Sequence, residues 1–232
     1  MKGIKYLISK IVICLIAFTN LSYAQQTRTQ AISRKLDQTN FTIRRNTNNS
    51  IQSKGSPYIN KNFEVIKLKK YDNQLFLGRY DANLAEMQIK RKNDTIVLHN
   101  SEDYEVTFTS SNKTYKTYNY TNEEGHPKQG FLVVLFETES LAVLKEEKIK
   151  FFEAKPPSDG YDKAKPAEYV RVNDIYYFRL GDTVSYLPKK RKDFLNLFPK
   201  HSNKIKIFIK KNKISLKDDE DLIYLFKYIE TL

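Results

Sequence analysis

The sequence predicts an α+β protein in which an antiparallel β-sheet domain, built as a rolled sheet or a sandwich, precedes a small C-terminal bundle of short helices. Between Tyr58 and Leu187, short β-branched and aromatic runs alternate with polar turn clusters at a spacing of about ten residues. After Pro188 the apolar spacing changes to three and four residues, which is typical of amphipathic helices. Nothing between the runs is long enough for the crossover that parallel strands require, so we expect antiparallel pairing.

Twelve runs in this region are predicted to be strands. The alternation is clearest where Tyr104, Val106 and Phe108 fall on one face. Gly181-Asp182 is expected to form a hairpin turn. The Pro-rich segment 155–166 is expected to be a surface loop, because proline has no N–H to donate to a ladder. In chain order the predicted strands are Phe63–Lys69, Leu75–Tyr80, Glu86–Arg91, Thr95–Asn100, Tyr104–Thr109, Lys113–Tyr120, Gly130–Thr138, Leu141–Lys145, Ile149–Glu153, Tyr169–Val172, Ile175–Leu180 and Thr183–Leu187.

Three short amphipathic helices are predicted at the C-terminal end. Pro199 ends the first helix, and Ser202 or Asn203 caps the second. Ser215 is expected to cap the third, whose Asp218–Asp221 run places negative charge at the positive end of the helix dipole. Because isoleucines also alternate in the second segment, a strand is the alternative there. The apolar stripes are Phe194/Leu197/Phe198, Ile205/Phe208/Ile209 and Leu222/Leu225/Phe226/Ile229.

Residues 1–24 are typical of a secretory signal peptide. Lys2 and Lys5 precede the apolar run Ile11–Phe18, and Ser22-Tyr23-Ala24 provides small residues for cleavage after position 24. The run is much shorter than the roughly 20 residues that cross a membrane. We therefore expect export to the periplasm or the extracellular space, with no transmembrane span in the mature chain. The single cysteine, Cys14, leaves with the signal, which suits an oxidising compartment.

The net charge of +13 is concentrated at the two ends of the chain. Residues 25–54 are rich in Gln, Thr, Asn and Ser, carry +5 and are predicted to be a disordered arm, because they hold too few large apolar side chains for a core. The β domain, 55–188, is nearly neutral, with 19 basic and 20 acidic residues. The helical segment, 189–232, has 12 basic and 6 acidic residues and is predicted to pack on or beside the sheet.

Eight cationic side chains of the helical segment form the candidate binding site. A cluster of this density attracts anionic polymers or anionic lipid headgroups, whereas the alternative is a solvated helix face whose lysines only aid solubility. Nucleic acid is not expected as a partner, because the signal peptide directs the chain away from it. The candidate anion-binding residues are Lys189, Lys190, Arg191, Lys192, Lys204, Lys206, Lys210 and Lys211.

The sequence contains no motif that predicts catalysis, a cofactor or a metal site. The glycines are scattered, nucleophile-elbow, zinc and calcium-loop patterns are absent, and His99, His126 and His201 lie far apart in the chain. Two carboxylates suffice for glycoside hydrolysis, and Glu137 and Glu139 would share a strand face if the strand extends that far. We therefore predict no cofactor and keep a carboxylate-based hydrolase as a third functional hypothesis.

Residues 55–232 contain several stretches of distinctive sequence. They are Gly55–Tyr58, Arg79–Asn83 with Glu86–Ile89, Phe152–Pro156, Gly160–Pro166, Tyr176–Asp182 and the Lys-rich helical end. In these stretches the chain resembles a group of secreted proteins common in Bacteroidetes-type bacteria. The resemblance implies export and the domain boundaries given above. The group has no assigned activity, so the resemblance implies no site residues.

The leading hypothesis is a secreted or periplasmic non-enzymatic binding or scaffold protein of the bacterial envelope, whose partner is an envelope protein. It depends on the lack of a catalytic constellation in the sequence, together with the charge segregated to the ends of the chain. The alternative is an electrostatic binder of anionic glycan or lipid surfaces that acts through the lysine-rich C-terminal helices.

Overall fold

Strands dominate the structure, and three short α-helices follow them at the C-terminus. A computed structural model describes the backbone of residues 41–44 and, in full, residues 53–92, 94–157 and 164–232. This agrees with the predicted order of a β domain followed by helices. In these ranges the elements are β1 (Phe41–Arg44), β2 (Glu64–Leu68), β3 (Gln74–Asp81), β4 (Glu86–Arg91), β5 (Asp94–Leu98), β6 (Glu105–Phe108), β7 (Lys113–Thr121), β8 (Pro127–Glu137), β9 (Leu141–Glu146), β10 (Ile149–Phe152), β11 (Glu168–Arg171), β12 (Ile175–Leu180), β13 (Thr183–Tyr186), α1 (Arg191–Asn196), α2 (Ser202–Lys211) and α3 (Asp219–Glu230).

Five of the strands close into a ring. Strands β7, β13, β12, β9 and β8 pair in that order, and β8 returns to β7. Strand β7 meets β13 through a single parallel pair, Thr121 with Ser185, whereas the other neighbours in the ring are antiparallel. The pairing of β8 with β9 shifts register between Val134 and Phe136, and an irregularity of this kind allows a sheet to curve and close. The architecture is therefore a closed, rolled sheet with extra strands, and the alternative of a simple sandwich is wrong.

The remaining strands extend this ring. An open antiparallel sheet continues from β7 through β6, β2, β3, β4, β5 and β1, and β10 pairs with β11 as a separate two-stranded sheet. All twelve predicted runs form strands, with ends that differ by no more than three residues from the prediction. Tyr104, Val106 and Phe108 are buried together, as their alternation predicted. Gly181-Asp182 is the turn between the paired residues Leu180 and Thr183, and Gly181 adopts a φ of +57° that favours glycine.

Strand β9 is buried on both faces, and this determines where the helices pack. Ala142 and Leu144 face the interior of the ring, where they meet residues from each of the other four ring strands. Leu141 and Val143 face the opposite way and join the apolar side of the helices. The helical residues buried there are Phe194, Ile205, Ile209, Leu222, Leu225 and Phe226. The helical segment therefore packs on the outer face of β9 and its neighbours.

The helices follow the predicted stripes, with corrections at two caps. The second helix begins at Ser202 with His201 at its N-cap and no side-chain cap among the described residues, so the prediction that Ser202 or Asn203 caps it is wrong. Ile205 and Ile209 are fully buried and Ile207 is 67% exposed, a four-residue spacing that makes the second segment a helix and not a strand. Helix α3 begins at Asp219, so the prediction that Ser215 caps it is wrong. Its cap is Asp218, whose Oδ1 accepts hydrogen bonds from the N–H groups of the next turn at 3.0 and 3.1 Å. The negative charge of a carboxylate at this position also stabilises the helix, because it interacts favourably with the positive end of the helix dipole.

Most of the N-terminal region lies outside the described residues. This holds for the predicted signal peptide, 1–24, and for residues 25–40 and 45–52 of the predicted arm. Where a disordered arm was expected, the strand formers Phe41–Arg44 form β1 against β5, and Lys54 forms a parallel bridge with Glu168. In the part of the chain that the structure describes, no helix combines the length and the apolar character needed to cross a bilayer.

Three consecutive charged side chains are buried at the end of β9. Lys145, Glu146 and Glu147 are 8%, 7% and 5% exposed. Each has a partner from another element. The Tyr177 hydroxyl donates to Glu146 at 2.9 Å, and the Tyr115 hydroxyl donates to Glu147. Because an unpaired buried charge is strongly destabilising, these contacts hold β7 and β12 in place around β9.

The hydroxyls of Tyr80 and Tyr115 make a matched pair for testing this role. The two buried rings are neighbours, with centroids 4.7 Å apart, but the Tyr80 hydroxyl has no hydrogen-bond partner among the described residues. We expect Tyr115→Phe to lower the free energy of unfolding by about 1.5–3 kcal/mol, because Glu147 loses a charge-assisted donor. Tyr80→Phe should be neutral or stabilising. Urea unfolding of both variants measures the difference, and equal losses would contradict the assignment.

Candidate anion-binding surface

The eight predicted cations lie on the surface of the helical segment, and we call them the basic helical surface. All eight are exposed. The first four, Lys189 to Lys192, connect β13 to α1 and form the start of that helix, and the other four lie on α2. Helices α1 and α2 pack against each other, so the two groups of cations belong to one folded unit.

Helix α2 presents its lysines to solvent because two of its isoleucines are buried in the core and fix which side of the helix faces inward. Ile205 and Ile209 are fully buried against the sheet and the other helices. The remaining directions around the helix carry Lys204, Lys206, Lys210 and Lys211, with the exposed Ile207 among them. At 100° per residue this leaves a broad basic face opposite the buried stripe.

The cations of the basic helical surface have no ion-pair partner within the described ranges. Several cations of the β domain differ, since Lys70 pairs with Glu102 at 2.7 Å and Lys113 with Glu147 at 3.0 Å. The Nζ of Lys189 lies 5.8 Å from the centroid of the Tyr186 ring. The positive field of this surface is therefore not cancelled locally and extends over a Debye length of about 8 Å at physiological salt.

A cleft of about 590 Å³ adjoins this surface, and we call it the basic cleft. It brings together a predicted cation, Lys189, and two cations that the sequence analysis did not identify, Arg171 and Lys217. Arg171 lies at the end of β11, Lys189 in the link before α1 and Lys217 in the link before α3. No local sequence pattern therefore predicts that the three lie together. The other lining residues are Val172, Asn173, Asp174 and Tyr176.

The acids near the basic cleft are already paired, with Arg171 of the cleft and with the buried Lys145 behind it. Asp174 accepts from Arg171 at 2.5 Å and lies 3.7 Å from the Nζ of Lys145. Lys145 also pairs with Asp219 at 2.5 Å, and that carboxylate accepts from the Tyr176 hydroxyl at 2.8 Å. Burial raises the pKa of Asp174, against the opposing effect of Arg171 and Lys145.

Lys189 and Lys217 supply the uncompensated charge of the basic cleft. Both are exposed, and neither forms an ion pair with any residue that the structure describes. Since Asp174 is neutralised by its own partners, the cleft has a net positive charge. It is therefore suited to a small anion.

Glu137, the residue proposed for a carboxylate hydrolase, is held by structural partners. Its carboxylate accepts from Lys116 and from Tyr118 at 2.8 Å, and Arg179 lies 3.5 Å away. Partial burial acts to raise its pKa, but these donors and cations bring it below the ordinary value. Glu139 lies on an exposed turn, where its backbone oxygen accepts from Arg179 at 2.8 Å. A general acid needs a raised pKa, so Glu137 is better suited to a structural role.

We expect Glu137→Gln to lower the free energy of unfolding by roughly 1–3 kcal/mol near neutral pH, because two cations lose a charged partner. The carboxylate has a lowered pKa in the folded state, so its contribution is present above its ordinary pKa of 4.5 and is lost as pH falls through the folded value. The gap between wild type and variant should therefore shrink in acid. Urea unfolding across this pH range measures it.

Glu139→Gln is the matched control for this prediction. The same substitution two residues away removes no ion pair of a described residue and should change stability by less than about 0.5 kcal/mol. A loss in Glu139→Gln equal to that in Glu137→Gln, or a gap that does not change with pH, would contradict the anchoring role of Glu137.

The comparisons with known proteins leave the function to be argued from this geometry. No protein family, curated protein or solved structure matches this chain. In the described ranges, no three His, Cys, Asp or Glu side chains lie close enough together to hold a metal ion. The resemblance to a group of secreted proteins stays a prediction, and so does the export that it implies. The features to explain are the basic helical surface and the cleft beside it.

Proposed function

We propose that this chain is an exported, non-enzymatic binding protein of the bacterial envelope, and that the basic helical surface holds an anionic glycan. One observation carries the proposal. Eight exposed cations are concentrated on a folded helical segment without ion-pair partners among the described residues, whereas several cations of the β domain, such as Lys70, Lys113 and Lys116, are paired. Export and the envelope location come from the signal-like N-terminus of the sequence.

A polymer of negative charge fits this surface better than a single small anion does. Each exposed ion pair in water contributes little, of the order of 0–1 kcal/mol. A polyanion contacts several lysines at once and releases the counterions condensed on it, so its binding becomes appreciable and strongly dependent on salt. Two helices with cations along them provide such repeated contacts.

A lipid surface is less well supported as the occupant. A helix that binds in a membrane interface inserts its apolar face among the acyl chains. In α2 that face is occupied, since Ile205 and Ile209 are fully buried in the core, and only Ile207 is left exposed among the lysines. Helix α2 therefore has exposed positive charge but no free apolar face that could insert into a membrane. Binding of an anionic glycan requires only the positive charge.

The test is binding of polygalacturonate, a polymer of carboxylated sugars, measured by titration calorimetry at about 50 and 200 mM salt. The variant replaces Lys190, Arg191, Lys192 and Lys204 by Gln and spares Lys189, which also lines the basic cleft. Wild type should bind, with an affinity that falls at least about tenfold between the two salt concentrations. The variant should bind at least about tenfold more weakly and depend less on salt.

A control variant with the same charge change separates position from net charge. It replaces Lys61, Lys90, Lys128 and Lys150 by Gln, which are exposed residues of the β domain. This control should retain most of the affinity. Equal losses in the two variants, or no binding by wild type, would refute the proposal. Binding to vesicles of anionic phospholipid but not to the polymer would replace the glycan by a membrane.

A further inference from the structure

We infer that the basic cleft binds one acidic sugar unit, with the carboxylate at Lys189 and Lys217 and the hydroxyls at Asp174 and Asn173. These residues line the same cleft. The inference deepens the proposed function, on which it rests for the source of the sugar, because it names the class of unit that the bound glycan would contain.

The charge balance of the cleft calls for an anion. Asp174 is neutralised by Arg171 at 2.5 Å, and Asp219 by Lys145 at 2.5 Å. Glu147, which lies 3.5 Å from Arg171, is paired with Lys113 at 3.0 Å. Lys189 and Lys217 have no such partner among the described residues. An anionic group in the cleft would complete the pairing.

The polar lining calls for hydroxyl groups in addition to that anion. Asn173 offers both a donor and an acceptor, and a paired carboxylate such as Asp174 keeps free lone pairs that accept hydroxyl protons. Val172 supplies an apolar wall suited to the C–H face of a sugar ring. A simple inorganic anion would leave Asn173 and Asp174 without a ligand group to bind. An acidic sugar has a carboxylate for the lysines and hydroxyl groups for Asn173 and Asp174.

The cleft is large enough, and three of its lining residues, Arg171, Asp174 and Tyr176, are held by contacts with their neighbours. Its volume of about 590 Å³ falls in the range of roughly 300–1,000 Å³ that is typical of small-molecule sites. Arg171 and Asp174 bind each other, and Asp174 lies 3.7 Å from the Nζ of the buried Lys145. The Tyr176 hydroxyl donates to Asp219 at 2.8 Å and lies 3.2 Å from the backbone oxygen of Lys217. Walls held in this way lose little conformational entropy when a ligand binds.

The test compares galacturonate, galactose and the polymer as probes of the full chain, with titration calorimetry or ligand-detected NMR as the readout. Wild type should bind galacturonate at least about tenfold more tightly than galactose, which lacks the carboxylate. Lys217→Gln should weaken galacturonate binding about tenfold. Lys227→Gln, an exposed lysine on α3 outside the cleft, makes the same charge change and should have no effect.

The outcomes separate this inference from the proposed function. Equal binding of galacturonate and galactose, or equal effects of Lys217→Gln and Lys227→Gln, would overturn the inference while leaving salt-dependent polymer binding intact. Galacturonate binding without polymer binding would overturn the proposed function and leave the cleft as a site for a free acidic sugar. The four-residue variant of the basic helical surface should retain galacturonate binding, because Lys189 and Lys217 are unchanged in it.

Discussion

The structure depends on neutralising three consecutive charges that β9 carries into the interior. Lys145, Glu146 and Glu147 are each less than a tenth exposed. Leaving any one of them without a partner would cost several kcal/mol, which is a large part of the stability of a domain. Their partners are Tyr177 on β12, Tyr115 and Lys113 on β7, Arg171 at the end of β11 and Asp219 at the start of α3. The ring, the small two-stranded sheet and the helical segment therefore meet around one strand end.

This requirement also explains why the cleft is positive. Asp219 and Asp174 stand near the surface, yet both are drawn into pairs with Lys145, and Asp174 also binds Arg171. The acids that would otherwise balance Lys189 and Lys217 are thus engaged by the interior. Folding pairs these two acids with Lys145 and Arg171 and leaves Lys189 and Lys217 unpaired at the surface. The unpaired cations Lys189 and Lys217 therefore lie beside the partly buried network of ion pairs around Lys145.

The sequence predicted local features well, because each depends on a few neighbouring side chains. The alternation of Tyr104, Val106 and Phe108 and the spacing of Ile205 and Ile209 both follow from burial of one face. Closure of the ring was not predictable, since it depends on a bulge near residue 135 and on one pair between distant strands. The cleft was missed for the same reason, as Arg171 ends β11 whereas Lys189 and Lys217 lie in two separate links. The cap of α3 was misplaced because Ser215 and Asp218 are both good capping residues, and the choice between them depends on packing.

In the proposed function, the basic helical surface and the basic cleft would have different roles in binding, because they act over different distances. Lysines on α2 act at the range of the Debye length, so they attract a polyanion of many chemical kinds and hold it weakly. The cleft acts at hydrogen-bond distance, where Asn173 and Asp174 distinguish a ligand with hydroxyl groups from one that has only charge. Attraction alone gives no selectivity, and a single sugar site alone gives little affinity. Since Lys189 belongs to both, the proposed glycan would meet the basic cleft where the helices attract it.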